Sequence, residues 1–352
     1  MKQNELKDFT ATVRADCVRW LDTIRYGQDS IGLFRSSRHA YHPWCLYASV
    51  SALAVHGQLD LLEELTPADK QAWADVFLKN YHPELGLFLC PQLYGPEFKG
   101  DPGNYEDRLR AEGAAPFKKM AGAVYRLTGS VPLTPDEGTL GCNDCDELER
   151  FFEEKRREQN PYGFGSTIGD FFHKRNLWLR GRKLDPADDP WIKWGYTYID
   201  RVRDADTGLM TGAGGDAAAP MNGLFKLSCA SFWNHGVPMP RARRVIDTVL
   251  TLASPENGFG RACEDYNATR ILCRLSRQEQ GYRLEDILRA AAPPVLNRLE
   301  QRRQPDGGFS FFTEHCQTHV NGYPLCDPLP ESDLFGTNQQ LAILGELQSL
   351  TA

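Results

Sequence analysis

Six segments of the 352-residue chain bring together side chains able to move protons or hold charge. RSSRHAYHPW places Arg38 four residues before His42 and ends on Trp44, and APMNGLFKLS places Asn222 four before Lys226. CEDYNATR supplies Glu264, Asp265, Tyr266, Asn267 and Arg270, and ESDLFGTNQQ supplies Asp333, Asn338 and Gln339. APFKKM adds Lys118 and Lys119, and STIGDFFHKR adds Asp170 and His173. Residues four apart share one face of a helix, so each segment presents its polar groups together.

These types suit β-elimination beside a sugar carboxylate. That reaction needs a base for the proton next to the carboxylate, donors that neutralise the carboxylate, and an acid for the leaving oxygen. Tyr266, Lys226 and His42 are the candidate base and acid, while Asn222, Asn267, Arg38 and Arg270 are candidates to hold the carboxylate. Trp44, Phe171 and Phe225 offer faces on which a sugar ring stacks. A hydrolase would instead draw a pair from Glu264, Asp265 and Asp333. Asp265 therefore joins the catalytic set, and Asp333 and Asn338 the binding set. Each has a structural alternative: Asp265 and Asp333 read equally well as helix caps, and His42 as a histidine packed beside Pro43 and Trp44. Lys226, set among apolar residues, is costly to bury unless it reaches a partner or lines a polar cavity.

The elements that must position these groups come from a repeat. Turns ending in glycine and a large apolar residue recur near Gly32, Gly86, Gly163, Gly208, Gly258 and Gly307. Amphipathic stretches such as WGYTYIDRVRDA, ARRVIDTVLTLA and APPVLNRLEQRR precede turns, and more apolar ones such as HPWCLYASVSALAVHG and DYNATRILCRLS follow them. The unit is helix, glycine turn, helix; glycine ends the first helix in a conformation that a side chain would penalise. About six hairpins fill residues 1–352, and the expectation is a single all-α domain, an (α/α)6 toroid with charged outer helices and apolar inner ones.

The QRRQPDGGFSFF turn and its relatives resemble the repeats of the terpenoid cyclases and protein prenyltransferase β-subunits, and some polysaccharide lyases share that α/α toroid. The resemblance implies a site at the mouth where the second helices begin, a place rich in unpaired backbone N–H groups. The motifs of the isoprenoid enzymes are incomplete. Where the prenyltransferases carry a zinc-binding Asp and Cys, CEDYNATR keeps Asp265 but has Asn267, and DLFGTNQQ offers no histidine. The Asp-x-Asp-Asp acid of class II cyclases has only DCDE (Asp144 to Glu147) and DADT (Asp204 to Thr207) as counterparts.

Hydrophobic residues at 41% and charged residues at 25% describe a chain that folds around a core. The formal net charge of -7 argues against nucleic acid or an anionic membrane as partner. No stretch reads as a signal peptide or a membrane span, and the ten cysteines are dispersed, so a cytoplasmic protein with reduced thiols is expected. Cys142 and Cys145 have half the spacing of a zinc site, with His315, Cys316 and His319 elsewhere, but no second Cys pair completes it. No phosphate loop or dinucleotide fingerprint occurs, so neither metal nor cofactor is expected. The function expected from the polar mouth is a lyase cleaving uronate-containing oligo- or polysaccharides, or a related glycosidase. The alternatives are an isoprenoid enzyme and a non-catalytic toroid that binds its partner.

Overall fold

The computed structural model describes residues 3–27, 30–83, 87–88, 114–132, 137–320 and 323–351. Among them the chain is all-α: twelve helices of ten residues or more, with strand confined to two short hairpins. The helices are α1 (Gln3–Ile24), α2 (Leu46–Gln58), α3 (Pro67–Leu78), α4 (Ala114–Thr128), α5 (Cys145–Glu158) and α6 (Pro161–Gly181). They continue with α7 (Pro190–Val202), α8 (Ala219–Ala230), α9 (Ala242–Thr251), α10 (Ala262–Gln278), α11 (Ala292–Arg302) and α12 (Leu334–Thr351). β1 (Tyr81–His82) pairs with β2 (Leu87–Phe88), and β3 (His319–Val320) with β4 (Tyr323–Pro324), both antiparallel.

Local sequence starts several helices in the same way. Thr66, Asn160 and Asp189 each cap a helix through the side chain, and each is followed by proline at the first helical position. The cap satisfies a backbone N–H that the helix leaves open, and proline lacks the N–H that would otherwise be orphaned. Before α11 the backbone widens into a π-helical turn, Ile287–Ala291. Pro293 and Pro294 donate no hydrogen bond, so the regular ladder cannot pass through them.

The glycine turns are built as the repeat requires at four of the six positions. Gly32, Gly208, Gly258 and Gly307 all have positive φ. At the same turns, isolated bridges pair Arg25 with Phe34, Arg203 with Met210, Ser254 with Gly258 and Arg303 with Phe309. The glycine thus reverses the chain so that a residue two places after it, or at residue 258 the glycine itself, pairs back near the end of the preceding helix. At Gly307, with φ at 111°, a Cβ would also lie 2.9 Å from the Asp16 carbonyl oxygen, so conformation and space both demand glycine. Gly86 falls outside the described residues. Gly163 differs from the expectation: it lies in the first turn of α6 and donates its N–H to the capping Asn160 oxygen at 2.9 Å. The Asn160–Pro161 pair starts a helix there, so Gly163 makes no turn.

The chain divides into two compact units, residues 1–132 with 297–351, and residues 133–296. In the first, α12 packs on α1 and α2, and α4 packs on α2 and α3. Its core holds Trp20, Phe34, Trp73 and Phe77. His56 of α2 lies edge-on to Trp73, with ring centroids 4.9 Å apart, and its Nδ1 is 2.8 Å from the Ala52 carbonyl oxygen. In the second unit α8 lies against α6 and α10, and α10 also packs on α9. Phe152, Phe171, Phe172 and Tyr198 form an aromatic core under α5, α6 and α7.

Burial pushes His56 down to about 4 from an ordinary 6.5. A folded-state value below the unfolded one means that the neutral ring contributes stability above about pH 6.5, and the contribution is lost as pH falls through 4. Stability measured by urea unfolding is expected to fall by up to about 3 kcal/mol more between pH 7 and pH 4 in the native chain than in His56→Gln. Equal slopes would show that the ring is not excluded from water.

Candidate functional site

The polar residues that open the second helices are mostly engaged with the protein itself. Asp265 is fully buried, and its Oδ1 accepts the Phe259 backbone N–H at 2.9 Å, tying the Gly258 turn to the first turn of α10. Glu264 reaches back to accept the Arg261 backbone N–H at 3.0 Å. Asn267 donates through Nδ2 to the Asn222 side-chain oxygen at 2.8 Å, a buried bond joining α10 to α8.

Asp333 does the corresponding work before α12. Its carboxylate accepts backbone N–H groups from Phe311 at 2.7 Å, Gln317 at 2.9 Å and Gly336 at 2.8 Å. Complete burial nevertheless raises it to about 6, against the opposing pull of those donors. Of the other residues in this unit, Arg38 is exposed, and His42, Trp44 and Asn338 are partly buried.

What remains on the faces of α8 and α10 is a ladder of rings and cations. Tyr266, Arg270 and Arg274 follow at four-residue spacing on α10. The Arg270 guanidinium lies 5.2 Å from the Tyr266 ring centroid, 5.8 Å from Phe225 and 5.9 Å from Trp233. Arg274 lies 4.8 Å from Trp233. Phe225 meets Tyr266 and Trp233 edge to face, at 5.3 and 5.7 Å. Arg270 also donates to the Tyr266 hydroxyl. On the same turn of α8 as Phe225, the Lys226 ammonium sits 5.4 Å over Tyr162. A guanidinium donates in its own plane, so it can keep a ring against its face and an oxyanion at its edge.

Trp233, Arg274 and Tyr162 were not among the residues expected from sequence. For Arg274 the signal was present, since Tyr266, Arg270 and Arg274 form one helical row. Trp233 follows the end of α8, in the short helix Phe232–His235, where no periodic pattern marks its direction.

Part of the set expected for β-elimination is engaged within the protein. Burial raises the Tyr266 hydroxyl above its ordinary range, whereas a tyrosine base must ionise near neutral pH. Asp265, Asn222 and Asn267 already hydrogen-bond to backbone or to each other. The acidic motifs are also structural: Asp144 caps α5 by accepting the Glu147 N–H at 2.8 Å, and Asp204 accepts from Thr207 within its turn. Hydrogen bonds from Thr207 hold Asp204 below the usual carboxylate range, so it is ionised near neutral pH and has no proton to donate to an alkene. Among the described residues no group of three His, Cys, Asp or Glu is placed to hold a metal. Lys118 has no described side chain.

No protein-family model matches the chain. No curated protein matches it either. Among solved structures it is similar to a type II terpene cyclase, MstE from Scytonema, in complex with its product merosterolic acid A. The identity is 10%, the TM-score is 0.48, and the match covers 99% of this chain and 100% of that one. A protein from Actinoplanes matches at 12% identity and a TM-score of 0.45, over 97% of this chain and 99% of its own. The saccharide-lyase expectation is therefore corrected at its amides and carboxylates: Asp265, Asn222, Asn267 and Asp333 are committed to hydrogen bonds within the protein. Among the described residues no helix is long and apolar enough to cross a membrane.

Proposed function

We propose that this chain takes an isoprenoid-type ligand, a long hydrocarbon with an anionic, oxygen-rich head. The observation that carries the reading is the α8 and α10 face, where Arg270 and Arg274 lie over the rings of Tyr266, Phe225 and Trp233. Rings of this kind offer apolar surface and negative π-faces to a hydrocarbon or a developing carbocation. The arginines offer the bidentate donors that a phosphate head requires. Asp265, Asp333, Asn222 and Asn267, expected to face a sugar, are paired internally and offer a sugar hydroxyl little. DCDE and DADT act as cap and turn, so diphosphate-headed substrates fit this face better than a reaction begun by protonating an alkene.

Titration calorimetry with prenyl diphosphates of increasing chain length, alongside inorganic diphosphate and the matching prenyl alcohols, tests the reading. Affinity is expected to rise with chain length and to exceed that of the alcohol. Arg270→Ala is expected to weaken it by about 10–100-fold, the value of one charge-assisted contact. Binding to none of the diphosphates, or binding untouched by Arg270→Ala and Arg274→Ala, would remove this face from the function. Analysis of the incubated ligand by mass spectrometry then separates an enzyme from a carrier.

A further inference from the structure

The segment between α11 and α12 carries a thiol pair outside the face just described. Cys316 and Cys326 are both buried, and their Sγ atoms are 3.3 Å apart. They flank the β3–β4 hairpin, whose register pairs His319 with Pro324 and Val320 with Tyr323. The pairing continues outward as Leu325 N–H donates to the Thr318 carbonyl at 2.7 Å. The Cys326 Sγ then lies 3.3 Å from the Gln317 carbonyl oxygen, and the Cys316 Sγ 3.4 Å from that of Asp327. Backbone bonds hold both strands: Cys316 N–H donates to the Leu329 carbonyl at 2.9 Å, and Gln317 N–H to Asp333.

We propose that Cys316 and Cys326 form a reversible dithiol–disulfide site that closes the hairpin into a covalent ring. Bond formation needs the sulfurs to approach by roughly 1.3 Å, a movement within reach of rotation about the two Cα–Cβ bonds. The oxidant is a low-molecular-weight disulfide, RS–SR. The Cys326 thiolate attacks one sulfur of RS–SR and releases one thiol, RSH; Cys316 then displaces the second RSH as the Sγ–Sγ bond forms. The two protein thiols lose two protons and two electrons, and both pairs leave on the two RSH molecules. The hydrogen bond from Cys316 lowers Cys326 and raises Cys316 itself, which makes Cys326 the attacking sulfur.

The ring would brace the loop before α2 in the same unit. Tyr41 donates its N–H to the Leu325 carbonyl at 2.8 Å and its hydroxyl to Asp327 at 2.6 Å, and His39 Nδ1 is 2.7 Å from Glu331. The loop before α2 is thus held by residues that the disulfide would immobilise.

The test uses the folded full-length chain incubated with oxidised glutathione, then unfolded, alkylated and digested with trypsin. Arg303 is the last lysine or arginine, so Cys316 and Cys326 share one terminal peptide that has no other cysteine. The expected result is a loss of two hydrogens and of both alkylation sites in that peptide, reversed by excess dithiothreitol. In Cys316→Ser the peptide should instead stop at a glutathione adduct on Cys326. A native-chain peptide that keeps both thiols, that stops at an adduct, or that closes only after the protein is unfolded would overturn the proposal.

Discussion

Replacing Gly165 by valine is expected to cost on the order of 4 kcal/mol or to prevent folding, because it forces two helix backbones apart. A Cβ on Gly165 would lie 2.2 Å from the Gly223 carbonyl oxygen, and one on Gly223 would lie 2.1 Å from that of Pro161. Gly169 continues the contact one turn later, 3.0 Å from the Lys226 carbonyl. The obstacle in each case is backbone, which cannot turn aside as a side chain can. α6 and α8 therefore touch along a glycine seam, and this seam sets the position of Phe225 and Lys226 on the next face of α8. Thermal or urea unfolding of Gly165→Ala, Gly223→Ala and the pair provides the graded version. Both substitutions separate the same two helices, so the double variant should lose clearly less than the sum of the singles. Strict additivity would mean that the seam is not a shared contact.

Asp189→Asn is expected to destabilise the fold by about 3–5 kcal/mol, since it leaves the buried Arg175 charge without its counterion. Arg175 Nη2 lies 2.6 Å from Asp189 Oδ2, and both side chains are almost wholly excluded from water. Arg175 also donates to the Glu137 carbonyl at 2.9 Å, while its guanidinium sits 4.3 Å from the Trp178 ring. Asp189 has a second task, capping α7 by accepting the Ile192 N–H at 3.0 Å. Asparagine caps nearly as well as aspartate, so the substitution isolates the lost charge from the lost cap. Adding Arg175→Met should recover a large part of the loss, because it removes the stranded cation and fills similar volume. If Asp189→Asn changes the unfolding midpoint no more than a surface substitution does, the pair is solvated and the argument fails.

These two sites differ in how far the sequence foretold them. Asp189–Pro190 is legible as the start of a helix, but nothing in the sequence points from it to Arg175, fourteen residues earlier on another helix. Gly165, Gly169 and Gly223 are legible only as small residues within apolar stretches. The close approach that makes them indispensable exists only when α6 and α8 are packed. Gly163 is the instructive error: aligned with the other glycines it looked like a turn, yet the Asn160 cap and Pro161 dictated a helix start. Local hydrogen bonding outweighed the repeat.

Sequence by itself determined the all-α class, the left-handed glycines at residues 32, 208, 258 and 307, and the positions where polar groups gather at helix starts. Those features are local, set by periodicity and by the steric freedom of glycine within a few residues. Tertiary structure alone decided what the polar groups do. Asn222 and Asn267 are 45 residues apart and satisfy each other; Asp265 and Asp333 bind backbone N–H groups of the preceding turns. A buried polar group must find a partner, and only the packed chain says whether that partner is protein or ligand. Here it is protein for Asp265, Asp333, Asn222 and Asn267, whose partners lie in other turns or helices and come within reach only once the chain is packed.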